Sequence, residues 1–233
     1  LKKLLLLIIF ITTVEASQAQ YALGEKIYKR TCLSCHAKNG NADTAFELVV
    51  KPRKLTKSIL TQEQSFQIIK EGAHAYGAHA DIMPTFKYVY SDVELQAVSH
   101  YISLAFNSKR DSKVQKLLDN SAKLSKEDRE NMLKVGEKIF TRNCAKCHGN
   151  NGNGQSEYVQ QSKSNDNFIY LYNLQKILLN QDQIFLYVKF GGNFWGADKN
   201  DMPAWKKKYN DTQLKSVAYY VATQIKKSNK ENK

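Results

Sequence analysis

The sequence predicts an all-α chain made of two tandem helical domains, and three observations carry that expectation. No segment alternates apolar and polar residues with the period of two that a half-buried strand needs. Apolar residues recur at helical spacing instead, as in Leu95, Val98 and Ile102. The chain also repeats itself. Gly24-Glu25-Lys26-Ile27-Tyr28 matches Gly136-Glu137-Lys138-Ile139-Phe140 at an offset of 112, and Gln62 to Ile102 aligns without a gap to Gln181 to Val221 at an offset of 119. The second copy has therefore gained residues, which we place in the polar stretch between Asn150 and Asn167.

Taken in order, residues 1–19 read as a secretory signal peptide. Lys2 and Lys3 precede an apolar run from Leu4 to Ile11, and Ala16, Ser17 and Ala19 offer a small-residue cleavage site after Ala19. The apolar run is short of the roughly 20 residues that span a bilayer. The first domain is expected over 20–106. Leu23, Ile27 and Tyr28 form its first helical stripe, and Gly24, like Gly136 in the second copy, is either a point where a partner helix approaches closely or a plain loop residue. Ser91 with Glu94 three residues later makes a capping box for its last helix. Residues 107–130, rich in Lys, Asp, Ser and Asn, read as a solvated linker with partial helix at Val114 to Leu118. Ser125-Lys126-Glu127-Asp128 marks the start of the next helix. The second domain is expected over 131–227, with Leu214, Val217 and Val221 as its matching stripe and Asn210 as N-cap, and 228–233 is a basic tail.

The four cysteines all fall in two matched pentapeptides, Cys32-Leu33-Ser34-Cys35-His36 and Cys144-Ala145-Lys146-Cys147-His148. C-x-x-C-H is the attachment signature of a c-type haem. Two thiols three positions apart each form a thioether to one porphyrin vinyl group, and the adjoining imidazole sits beneath the iron. Two copies predict two covalently bound haem c groups. Two alternatives compete: a structural zinc shared by the two C-x-x-C pairs, and a thioredoxin-like redox pair, although no βαβ pattern accompanies it. Disulfide staples are a further, weaker reading. With 42% hydrophobic residues, two small domains have marginal cores, and a porphyrin in each adds apolar surface.

What fills the second axial position separates a carrier from a catalyst. Of three methionines, Met83 and Met202 fall opposite each other in the internal alignment, each followed by proline, whereas Met132 has no partner and reads as core filler. Proline restrains the residue before it to extended backbone, which suits a loop carrying a thioether to a haem face. Such a sulfur favours reduced iron and raises the potential. His74, His79 and His100 compete for the role in the first domain, but Asn193, Asp198 and Tyr219 stand opposite them in the second.

These residues resemble the class I cytochromes c, and more closely the soluble two-domain dihaem cytochromes c of bacterial periplasms, over about Leu23 to Ile225. The resemblance implies a small helical bundle around each haem, with one haem edge exposed and the two haems close enough for internal transfer. It makes Cys32 and Cys35 the thioether anchors and His36 and Met83 the axial ligands of the first iron. Cys144, Cys147, His148 and Met202 take those roles at the second. Similar proteins orient the proximal imidazole with a proline carbonyl, for which Pro52 is the candidate; the second domain has no proline between Cys144 and Met202.

The net charge of +13 falls by one without the proposed signal and stays basic. Such a surface steers association with acidic docking faces of redox proteins or an anionic membrane surface. No nucleic-acid motif is present. The expected function is a periplasmic dihaem electron carrier between a donor such as the quinol-oxidising complex and a terminal oxidase or reductase, with no catalytic residue of its own. A dihaem subunit of a periplasmic dehydrogenase, for instance one oxidising a sulfur compound, is the alternative. A dihaem peroxidase stands behind both, because matched methionines leave no open iron.

Overall fold

The computed structural model describes residues 15, 17–44, 52–78, 83–107, 125–156, 173–195 and 202–226. Among them every regular element is helical and no strand occurs. Residues 1–14 and 16 of the proposed signal peptide, His79, the linker helix at Val114 to Leu118 and the basic tail lie outside the described residues, whereas 17–19 of the proposed signal form the start of the first helix.

Helix α1 covers 17–27 and runs through a π-turn, Tyr28–Cys32, into the short α2, Leu33–His36. Helix α3 is Gln62–Glu71, and α4 is Asp92–Ile102. The second copy repeats the order: α5 Lys126–Ile139, a π-turn Phe140–Cys144, α6 Ala145–His148, α7 Gln181–Phe194 and α8 Asp211–Tyr220. Helix α7 breaks at Gly191, where φ is 76° and ψ is 167°. Gly72, its counterpart just past α3, has φ 80° and ψ 157°. That region of backbone space is nearly closed to residues with a Cβ, so both helices turn at the same point.

The capping residues read from the sequence act as expected. Ser91 and Glu94 form a reciprocal capping box on α4, Ser125 and Asp128 on α5, and Asn210 and Gln213 on α8. Each satisfies backbone donors that the first helical turn leaves unpaired. Helix α5 thus begins at Lys126, inside the stretch 107–130 assigned to the linker.

Gly24 and Gly136 are crossing points, the first of the two expectations. A Cβ on Gly24 would run into the Ala97 carbonyl and sit 2.8 Å from the Tyr101 Cβ, and one on Gly136 would meet the Ser216 carbonyl and lie 2.7 Å from the Tyr220 Cβ. Around these crossings Leu95 and Val98 in one copy, and Leu214 and Val217 in the other, are essentially sealed from solvent. Each such side chain contributes about 1.5–3 kcal/mol by burial. Lys70 with Asp92 (2.8 Å) and Lys189 with Asp211 (2.6 Å) form matched ion pairs between successive helices. Their exposed carboxylates keep each to under about 1 kcal/mol.

Backbone contacts divide the chain into two compact units. The described residues of Leu1–Glu71 and Thr85–Lys109 make one, and those of Gly72–Pro84 and Arg110–Lys233 make the other. Segment Gly72–Pro84 falls in the second unit, where the Asn173 amide donates to the Gly77 carbonyl at 2.9 Å.

Candidate functional site

Both C-x-x-C-H runs sit where a helix widens and then stops. Cys32 and Cys144 close their π-turns, and His36 and His148 end the one-turn helices that follow. Cysteine, cysteine and histidine at i, i+3 and i+4 share one helix face. They therefore present two thiols and an imidazole from the same side, as two thioethers and an axial ligand on a single porphyrin require.

The chain reverses just beyond each histidine. Ala37 has φ 60° and ψ 166°, and Gly149 has φ 79° and ψ 155°. The next turn ties back to the histidine itself: the Ala42 amide donates to the His36 carbonyl at 3.1 Å, and the Gly154 amide to the His148 carbonyl at 2.9 Å. Further on, the Leu55 amide donates to the Gly40 carbonyl and the Leu174 amide to the Gly152 carbonyl, both at 2.7 Å. The offset is 112 at the glycines and 119 at the leucines, so the added residues fall between Gly152 and Leu174.

Burial pushes the thiols of Cys32 and Cys144 up to about 12, with the second cysteine of each pair adding to the shift. A redox-active pair of the thioredoxin kind carries a lowered thiol, the opposite direction. Among the described residues no three His, Cys, Asp or Glu side chains gather around one point suited to a metal ion. Burial lowers the His36 pKa, opposed by the backbone of Arg53, and a neutral ring is the form that ligates iron. Its Nδ1 is buried with no well-formed hydrogen bond. The backbone group facing the ring is that of Arg53, one residue past the nominated Pro52.

An apolar cavity opens beside Cys32, lined by Ile27, Ile69, Phe86, Leu95 and Val98 together with Thr31 and Tyr90. The hydroxyls of Thr31 and Tyr90 share a hydrogen bond of 2.5 Å. Ile139, Val188, Trp205, Leu214 and Val217 occupy the equivalent positions in the second copy, where Asn143 donates to the Tyr209 hydroxyl at 2.9 Å. Free thiols, a neutral imidazole and an apolar wall fit a covalently held porphyrin.

Met83 and Met202 are half-buried on matched loops. The amide after each helix-ending glycine holds the methionine carbonyl: Ala73 to Met83 at 3.0 Å and Gly192 to Met202 at 2.7 Å. Two residues past each proline, the Phe86 amide donates to the Ile69 carbonyl and the Trp205 amide to the Val188 carbonyl, both at 3.1 Å. Met202 shares one compact unit with Cys144, Cys147 and His148; Met83 lies in that unit as well, while Cys32, Cys35 and His36 lie in the other. Met132 is half-buried along a groove with Asn210, Gln213 and Ser216. His74 bonds the Ala78 carbonyl at 3.1 Å and His100 bonds Gln62 at 3.3 Å, each through Nδ1.

Two features went unread in the sequence. Thr31 and Asn143 meet Tyr90 and Tyr209, although each pair is matched in the repeat and that match was the available signal. The Tyr28 hydroxyl donates to the Ala37 carbonyl at 2.6 Å, a bond that Phe140 lacks.

The sequence matches the profile of a family described as cytochrome c oxidase, cbb3-type, subunit III, over residues 19–102 and again over 131–221. A Cbb3-type cytochrome c oxidase subunit FixP of Azorhizobium caulinodans is 26% identical over 205 residues, covering 87% of this chain. The chain spans 59% of the length of that curated relative. Among solved structures, a chain of a reducing HAO-like protein complex from Kuenenia stuttgartiensis superposes with a TM-score of 0.45 at 20% identity, covering 88% of this chain and 96% of the other.

Proposed function

This chain belongs to the cytochrome c oxidase, cbb3-type, subunit III family, and on that premise we propose that it is an exported dihaem carrier with one haem c in each repeat. The family makes it a c-type cytochrome, an electron-transfer protein with covalently bound haem. The finer reading assigns Cys32 and Cys35 as anchors of one haem and Cys144 and Cys147 as anchors of the other. His36 with Met83 and His148 with Met202 are the axial pairs, in the manner of class I cytochromes c. In this reading one domain runs over 20–106 and the other over 131–227, with helix α5 entering the second from Lys126 so that the linker is the part of 107–130 before its Ser125 cap, and residues 1–19 direct export to the periplasm.

The observation that carries this reading is the duplicated local geometry. In each repeat a C-x-x-C-H run closes a π-turn, the histidine carbonyl is tied to the following loop, and a Met-Pro loop is pinned by the amide after a positive-φ glycine. Haem supplies reversible one-electron chemistry at its iron. Cys32, Cys35 and His36, with Cys144, Cys147 and His148 in the second repeat, would hold it, and Met83 and Met202 would tune its potential. No catalytic residue is assigned.

Donor and acceptor are redox proteins with acidic docking surfaces, the quinol-oxidising complex and a terminal oxidase among them, approached through the basic surface of the chain. Similarity to an oxidase subunit favours a second reading, in which the chain works as the electron-transfer subunit of a larger redox assembly.

Carbon monoxide tests the methionine assignment. The reduced wild-type protein is expected to bind none, and Met83→Ala and Met202→Ala are each expected to bind one equivalent, read from the visible spectrum. Full binding by the wild type would overturn the carrier reading.

A further inference from the structure

Ala37 adopts a backbone conformation, φ 60° and ψ 166°, that belongs almost wholly to glycine. Its counterpart in the second repeat is glycine, Gly149. The first repeat therefore keeps a strained peptide directly after the histidine of its C-x-x-C-H run, and something must hold it.

Tyr28 is placed to do so. It is 1% exposed, packed against the rings of Tyr101 at 5.3 Å and Phe106 at 5.1 Å, and its hydroxyl donates to the Ala37 carbonyl at 2.6 Å. A buried phenol needs an acceptor. Two neighbouring rings hold the phenol, so the acceptor is fixed with it. In the second repeat the residue at this position is Phe140, equally buried, and the residue it would serve is glycine. Tyrosine stands opposite alanine in one repeat and phenylalanine opposite glycine in the other. Each pair is self-consistent: the hydroxyl is present where the backbone is strained and missing where it is not.

We propose that Tyr28 is a positioning residue for His36: its hydroxyl locks the Ala37–Lys38 peptide, and with it the positive-φ turn at Ala37, and thereby fixes the axial imidazole of the first haem, a device the second haem does without. Residue 37 carries the carbonyl that Tyr28 grips, and its turn leads to Ala42, whose amide returns to the His36 carbonyl at 3.1 Å. Releasing Ala37 lets it relax toward negative φ, which rotates the His36–Ala37 peptide and loosens the Ala42 bond. The orientation of a proximal imidazole sets its donor strength and hence the haem potential.

This inference rests on the reading that His36 ligates a haem. The experiment uses the exported holoprotein as wild type, Tyr28→Phe, Ala37→Gly and the double variant, with haem stoichiometry measured first. Tyr28→Phe should speed amide exchange at Ala42 about tenfold, the loss expected for one buried hydrogen bond, with Gly154 unchanged. It should also move the midpoint of one haem in a redox titration and leave the other in place. Ala37→Gly removes the strain, so the double variant should return that midpoint to its wild-type position. A protein with two haems in which Tyr28→Phe moves neither reading overturns the proposal and spares the dihaem assignment. So does a double variant as perturbed as Tyr28→Phe alone, because the hydroxyl would then act on something besides Ala37. A wild-type chain without haem at Cys32 and Cys35 overturns both.

Discussion

In the first repeat the turn after the histidine runs through Ala37 and Ala42, at φ 60° and 56°; in the second it runs through Gly149 and Gly154, at φ 79° and 77°. The backbone is the same and the residues that tolerate it differ. The first repeat surrounds its turn with an aromatic cluster of Tyr21, Tyr28, Tyr101 and Phe106, with ring centroids 5.0–5.7 Å apart. Among the described residues the second has Phe140 against Tyr220 at 5.6 Å there, with Ile225 opposite Phe106. The aromatic rings of the second repeat are gathered near its methionine loop instead, where Phe190, Phe194 and Trp195 pack together. A duplicated fold has thus conserved the path of the chain around each C-x-x-C-H run while shifting the means of holding it, from side-chain bracing in one copy to backbone freedom in the other.

Exchanging the residues between the repeats breaks this comparison most sharply. Gly149→Ala puts a Cβ into a conformation costing about 1–3 kcal/mol and within 2.7 Å of the Gln155 carbonyl, with no hydroxyl on Phe140 to brace it. A loss near the top of that range is expected, read as a lower urea midpoint for the second repeat. The reverse change, Ala37→Gly, relieves strain of that size but gives the unfolded chain more freedom, worth up to about 1 kcal/mol. A net gain of about 1 kcal/mol is expected. Equal effects of the same sign at the two positions would show that the turns are not held differently.

The smallest effect concerns the helix starts. Glu94 caps α4, and its counterpart Gln213 caps α8. Backbone and hydroxyl hydrogen bonds from Ser91 lower the Glu94 pKa below 4.5. A carboxylate depressed in the folded state contributes in full above its unfolded value and loses that contribution as pH falls through its folded value. Amide exchange at Ser91, corrected for intrinsic rates, should therefore rise between pH 5 and about pH 3, while that at Asn210 should not. Parallel behaviour of the two caps would remove the distinction.

Much of this architecture was legible in the sequence because periodicity, capping residues and duplication all spoke to the same elements. Ser91, Ser125 and Asn210 cap where their side chains predict, and Gly24 and Gly136 sit at helix crossings because only there does a missing Cβ matter. The start of α5 lies within the expected linker, since a polar, charged composition does not separate a solvated helix from a loop. Residues around the C-x-x-C-H runs were less readable. Alanine carries no signal for positive φ, so the strain at Ala37 and Ala42 was hidden, although glycine at the aligned positions 149 and 154 pointed to it. A tyrosine aligned with phenylalanine reads as a conservative exchange, and only the acceptor on Ala37 gives the hydroxyl a purpose. The backbone facing His36 is that of Arg53 and not of Pro52, a shift of one residue that loop geometry decides.

The central claim is one covalently held haem in each repeat, and intact mass of the exported protein tests it most directly, taken for the wild type and for two variants, Cys32→Ala with Cys35→Ala and Cys144→Ala with Cys147→Ala. The account predicts two haem increments on the wild-type chain and one on each variant. A wild-type chain with a single increment, lost entirely with one cysteine pair and untouched by the other, would contradict it.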